Sequence, residues 1–221
     1  MIRILHTSDL HGRFDKLLNF MEPFDLWIDT GDFFPNAIER KEEGGPDRGV
    51  PAIETPFQRE WIAPHLRDLA NWLGRRPMLS VPGNHDFTDL AALLRSQGAN
   101  GQQVTTRGVD LFGIRFAGFR DIPFRRGEWA AESHDLRPVS LEALDCDPDV
   151  LLTHAPPAGI LEDDRGDGNV PLATALGFRP HKVRAHFFGH SHRCGGKDQE
   201  INGIHFFNGA QRLRTHMLWE G

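Results

Sequence analysis

Short apolar runs alternate with amphipathic stretches along the first half of this chain, and several runs end abruptly in polar residues. "IRIL" (2–5) reads as a buried strand that enters "HTSDLHG". "DKLLNFMEPF" places Leu17, Leu18 and Met21 at helical spacing, ended by Pro23. "LWIDTGD" is a second strand running into a polar turn, and the charged, Gly- and Pro-rich segment 34–54 reads as an exposed excursion. Thr55-Pro56-Phe57-Gln58 then predicts a helix start, with a Thr N-cap, Pro at the first position and Gln at the capping-box position. Phe57, Trp61, Ile62, Leu66, Leu69, Trp72 and Leu73 follow at three- and four-residue steps down to Gly74, which marks a core-facing stripe.

"PMLSV" predicts a strand, "TDLAALLRSQG" a helix, and "VDLFGIRFAGF" a β-hairpin turning near Phe112-Gly113. A helix is expected around 140–145, and "DVLLTHAPP" is a strand ending in His. "PLATALGF" is helical, "AHFFGHSH" is a strand ending in two His, and "GIHFFNGA" and "RTHMLWE" close the chain as strands. Alternating β and α units followed mostly by strands predict an α/β fold, with sheets packed together and helices outside. No repeat, low-complexity tract or composition break interrupts residues 1–221, so one domain is expected.

Composition narrows the chemistry only in places. A formal net charge of -6 leaves no basic footprint for duplex nucleic acid. A small phosphorylated ligand stays compatible if a metal supplies positive charge locally. The two cysteines, Cys146 and Cys194, are far apart, which excludes a disulfide framework and a Cys-type zinc site and suits a reducing cytoplasm. The N-terminal apolar run is too short for a signal peptide, and no later stretch approaches membrane-spanning length.

Position matters more than number for the twelve histidines. Ligands of open α/β sheets bind beyond the carboxyl ends of strands. Five apolar runs end in potential metal ligands: Asp9 and His11; Asp32; Asn84, His85 and Asp86; His154; and His190 with His192. A borderline divalent metal takes imidazole and carboxylate, and two ions can share a bridging carboxylate, for which Asp32 is the candidate. An Asn carbonyl adds a coordinating oxygen without adding charge.

In this order, "D-x-H", "GD", "GNHD", "LLTHAPP" and "GHSH" resemble the five motifs of the calcineurin-like metallophosphoesterases, over residues 9–192. The resemblance implies a four-layer αββα sandwich of two mixed sheets flanked by helices, with two metal ions at one end. It further implies that Asp9, His11, Asp32 and His192 hold one ion, and Asp32, Asn84, His154 and His190 the other. His85 would be the proton donor or phosphate-binding imidazole, oriented by Asp86, and the nucleophile a hydroxide bridging the metals. Manganese is the first expectation for the metal, with Fe, Zn, Ni and Mg also suited to such ligands.

Pro82 stands where the phosphoprotein phosphatases of this superfamily carry Arg, and those enzymes lack the closing G-H-x-H found here. The chain therefore resembles the smaller bacterial and phage-type phosphoesterases, which implies hydrolysis of small, nucleotide-like phosphodiesters or monoesters. A nuclease and a non-catalytic scaffold are the alternatives. His6 is expected to be packed rather than a ligand. Arg75-Arg76 and Arg125-Arg126 read as solvated faces. "GFRDIPFRRGEW" (118–129) is the stretch expected to shape the pocket, with Arg120 a candidate phosphate ligand, and the 34–54 excursion is a second candidate lid.

Overall fold

The structure is a computed structural model that describes residues 1–38, 48–163 and 166–219. Five strands form the first sheet: β1 (Ile2–Ser8), β2 (Leu26–Asp29), β3 (Met78–Ser80), β4 (Gly101–Gln103) and the last strand of the chain, β13 (Arg212–Leu218). Their order is β13-β1-β2-β3-β4, parallel except where β13 runs against β1. The second sheet holds β5 (Val109–Leu111), β6 (Ile114–Phe119), β9 (Val150–Thr153), β10 (Ala185–Phe188), β11 (Asp198–Ile201) and β12 (Ile204–Asn208). Its order is β11-β12-β10-β9-β6-β5, with parallel pairing in the centre and an antiparallel strand at each edge. A small ribbon pairs β7 (Ile122–Pro123) with β8 (Glu132–Ser133).

The alternation along each strand sorts side chains into three apolar layers. Ile4, Ile28, Val150, Leu152 and Phe187 meet between the sheets. Their neighbours Leu5 and Trp27 face the other way, under α1 (Asp15–Leu18), α2 (Pro51–Ile62), α3 (Leu66–Leu73) and α4 (Leu90–Ser96). Leu151 and Phe188 lie under α5 (Arg137–Asp145) and α6 (Val170–Phe178). Strands buried on both faces explain why the sequence shows continuous apolar runs there. The layering is helices, sheet, sheet, helices, the four-layer αββα arrangement of two mixed sheets expected from the sequence.

Caps and breaks mostly follow local chemistry. Asp89 and Asn169 cap α4 and α6, each accepting a backbone N–H at 2.9 Å. Two elements differ from the sequence reading. The first helix is one turn long and leaves Met21 exposed: the Asn19 side chain donates to the Asp15 carbonyl at 2.9 Å, and the Phe20 N–H turns to the Leu17 carbonyl at 3.0 Å instead of continuing the helix. The helix expected from Thr55 begins instead at Pro51, with Val50 as N-cap and Pro56 inside it. Pro51 fills the early position that favours proline, and the extra turn carries Glu54, which is buried along with Gln58. The stripe also breaks at a 3-10 turn, Ala63–His65, before α3. Part of the 34–54 excursion is thus helical, and residues 39–47 lie outside the described residues. No described helix is long and apolar enough to cross a membrane.

Candidate metal centre

The carboxyl ends of β1, β2, β3, β9 and β10 converge, and the turns that follow them interlock. Asp9 N–H donates to the Gly31 carbonyl at 2.8 Å, His11 N–H to that of Asp32 at 2.9 Å, and Gly189 N–H to that of His154 at 3.0 Å. The packing is close enough to need glycine. A Cβ on Gly83 would lie 2.1 Å from Asp32 Oδ1, and one on Gly189 would lie 1.8 Å from Ser8 Oγ. Asp9, His11, Asp32 and His190 all adopt positive φ, between 44° and 63°. Left-handed backbone at four candidate ligands is strain of the kind that persists where surrounding contacts over-determine a site.

Two groups of ligand atoms result: Asp9, His11 and His192, and Asp32, His154 and His190. In the first, His192 Nε2 lies 2.9 Å from Asp9 Oδ1, while Asp9 Oδ2 accepts from Ser8 Oγ (2.6 Å) and His190 N–H (2.8 Å). In the second, His154 Nε2 is 3.2 Å from Asp32 Oδ2, 3.0 Å from Asn84 Oδ1 and 3.2 Å from His190 Nδ1. Asp32 Oδ2 also lies 3.8 Å from His11 Nε2, so this one oxygen faces both groups. Its other oxygen is held by the His85 N–H at 2.7 Å.

The second group fits a cation. His154 sets its Nδ1 2.7 Å from the Thr30 carbonyl, which takes that N–H and turns the Nε2 lone pair inward. There it meets a carboxylate oxygen, an amide oxygen and an imidazole nitrogen. One proton satisfies one such pair, whereas a divalent ion would draw on these lone pairs together. The same field acts on protons. Burial would lower His154, but the charge of Asp32 and its hydrogen bond, with Asp9 beyond, raise it to about 10. Burial would raise Asp9, yet the His192 hydrogen bond and the charge of His154 bring it to about 2. Asp32 is held well below the usual carboxylate range, its burial outweighed by His154, His85 and His11. His190, buried and beside His154, falls to about 3.

A sequence model of one family, described as calcineurin-like phosphoesterase, matches residues 2–194. The chain belongs to that family. No curated protein sequence matches it. Among solved structures, this phosphoesterase is similar to TT1561 of Thermus thermophilus, with a TM-score of 0.65 and 16% identity over 97% of this chain and 98% of that one. It also aligns with the Thermus thermophilus sulfate thiohydrolase SoxB in complex with glycerol at a TM-score of 0.47 and 13% identity, over 96% of this chain and 53% of that one.

Within the phosphoesterase, two sequence readings need correction. Asp86 does not orient His85. Its carboxylate accepts from the backbone N–H groups of Asp32 (2.7 Å), Gly83 (2.8 Å) and Phe34 (3.1 Å), which ties the GD and GNHD turns together. Consecutive residues in a turn send their side chains apart, and burial beside Asp32 raises this carboxyl to about 6. His85 Nδ1 lies instead 2.5 Å from Asn36 Oδ1, and Asn36 donates to buried Glu54 and to the His85 carbonyl, each at 3.2 Å. Gln58 adds a 2.7 Å bond to that same carbonyl. Arg120 does not face the cavity: its guanidinium donates to the Gly83 (3.3 Å) and Asp86 (2.9 Å) carbonyls and braces the GNHD turn. Arg125 and Arg126 are exposed, as their reading as a solvated face has it, and within the 118–129 stretch they line the cavity of about 610 Å³ in front of His11, Asn84 and His190.

Asn36, Glu54 and Gln58 were missed because they sit in the charged excursion and at a helix start, where polar residues usually face solvent. Trp129, whose ring lies 4.0 Å from that of His85, falls within the stretch expected to shape the pocket. His6 is packed as expected, wholly buried with its Nε2 2.9 Å from the Thr30 hydroxyl.

Proposed function

We propose that this calcineurin-like phosphoesterase is a dinuclear enzyme that hydrolyses phosphodiesters, and also monoesters, of small nucleotide-like substrates. The observation that carries the reading is Asp32 Oδ2, which belongs to the group of His154 and His190 and also lies 3.8 Å from His11 Nε2 of the other group, with His85 Nε2 4.0 Å away. Asp9, His11, Asp32 and His192 would hold one ion, and Asp32, Asn84, His154 and His190 the other. Bound divalent ions supply positive charge for phosphoryl oxygens and acidify a water to near neutral pH. The family resemblance points to Mn first, and imidazole, carboxylate and amide donors also suit Fe, Zn, Ni and Mg.

The chain's own contribution is order and a proton. With Nδ1–H engaged by Asn36, His85 presents Nε2 to the cavity. Burial holds its imidazole down to about 4, so the ring is neutral at pH 7. The negative charge of an arriving phosphoryl group would let Nε2 take a proton from solvent, and His85 would pass that proton to the departing ester oxygen. Asp86 and Arg120 keep the GNHD turn in place from behind. Pro82 in place of Arg, and a net charge of -6, favour small substrates over phosphoproteins and duplex DNA.

The test is a panel of an aryl phosphodiester, an aryl monoester, a phosphopeptide and plasmid DNA, each with several divalent metals at low and high salt. Highest catalytic efficiency on the aryl diester, with mild salt dependence, is the expected result. Preference for the phosphopeptide, or a steeply salt-dependent preference for DNA, overturns it.

A further inference from the structure

The cavity's outer wall carries chemistry that ester cleavage does not use. At about 610 Å³ it is of the size that takes a whole small ligand, far more than one phosphoryl group needs. Residues 124–129 cross that wall between β7 and β8, and Glu132 fixes them from within. Its Oε2 accepts the backbone N–H groups of Arg125 (2.9 Å), Arg126 (2.9 Å) and Gly127 (2.7 Å), and its Oε1 accepts that of Trp129 (3.2 Å). Several successive N–H groups on one carboxylate make a preformed turn. What the turn projects is therefore held before any ligand arrives.

Two projections stand out. Phe124 stacks on His134, with ring centroids 3.8 Å apart and planes at 25°, yet remains 42% exposed on the cavity wall. Arg126 is exposed on the same wall, and its guanidinium has no hydrogen-bond or ion-pair partner among the described residues. Other cations of the wall are already engaged: Arg125 with Asp167 and Arg48 with Glu128, each at 2.5 Å. Acidic groups on this wall, Asp163, Asp167 and Glu128, disfavour a diffuse cloud of anions and leave Arg126 as a point contact. An aromatic face and a cation on one rigid turn suit a base and a phosphate.

We propose that the Phe124–Trp129 turn is a recognition platform for a nucleotide bearing two linked phosphoryl groups. One phosphoryl group lies at Asp32, the second contacts Arg126, and the base stacks on Phe124. This rests on reading the centre as a phosphoesterase site, whose own failure shows separately below.

The test measures equilibrium binding of AMP, α,β-methylene-ADP and methylenediphosphonate to the metal-loaded protein, with the hydrolysis panel run alongside. Arg126→Ala should weaken α,β-methylene-ADP by about tenfold, the scale of one charge-assisted hydrogen bond, and AMP by less than about twofold. Phe124→Ala should weaken both nucleotides by roughly fivefold or more and leave methylenediphosphonate unchanged. Both side chains are exposed, so neither change threatens the fold. Equal weakening of AMP and α,β-methylene-ADP by Arg126→Ala, or no effect of Phe124→Ala on the nucleotides, overturns the platform. If every ester resists hydrolysis while these binding differences hold, the phosphoesterase reading falls and the platform stands.

Discussion

His154 and His186 are both wholly buried, one just past the end of β9 and the other inside neighbouring β10, yet they sit at opposite electrostatic extremes. His186 lies among Phe188 and Phe206 with its Nε2 2.8 Å from the Thr153 hydroxyl, and burial alone takes it down to about 3. His154, one residue beyond Thr153, meets Asp32, and there the carboxylates outweigh the same burial and take it to about 10. A buried imidazole by itself is a neutral packing group. It becomes part of a cation site only where other lone pairs converge on it. The positions in the chain differ by little: His186 lies inside its strand, His154 just past the end of one.

Replacing the two residues in turn tests this contrast. His154→Gln should cost about a thousandfold or more in kcat and lower bound metal, since several kcal/mol of charge stabilisation depend on the ions. His186→Gln should leave metal content unchanged and activity within a few fold, as measured by elemental analysis and steady-state kinetics. Similar losses in both variants would erase the distinction.

A smaller effect is expected one contact away from the ligands. Asn36→Ala should lower kcat by roughly ten- to a hundredfold with metal content intact, because His85 loses the partner that fixes its ring. Loss of metal in that variant would place Asn36 with the ligands instead. The subtlest effect is on stability against pH. An unfolded histidine takes its proton near 6.5, whereas folded His186 resists until about 3. Its contribution is therefore full above about pH 6.5 and drains as pH falls toward 3, at about 1.4 kcal/mol per pH unit. Urea unfolding of the metal-free protein between pH 7 and pH 5 should show a slope shallower by about one proton in His186→Gln. An unchanged slope would mean that His186 is not held neutral by the fold.

The strand ends were legible in the sequence because runs buried on both faces are mostly apolar, so Asp9, Asp32, His154 and His190 stood out where such runs stop. The sheets and their flanking helices followed from the same pattern. What surrounds His85 was not legible. Glu54 and Gln58 are buried polar residues on a helix, and nothing in their spacing separates them from a wetted face. Asp86 misled through adjacency, since its carboxylate serves three backbone N–H groups rather than the neighbouring ring. Arg120 misled because a guanidinium can brace a turn through carbonyl oxygens as readily as it binds phosphate.

Everything proposed for the centre depends on one oxygen of Asp32 drawing two cations together. Metal content per chain, measured by elemental analysis after equilibration with Mn and removal of excess, tests this most directly. The wild-type chain should retain two ions and Asp32→Asn at most one. Two tightly held ions in Asp32→Asn, or a wild-type chain that saturates at one, would contradict it.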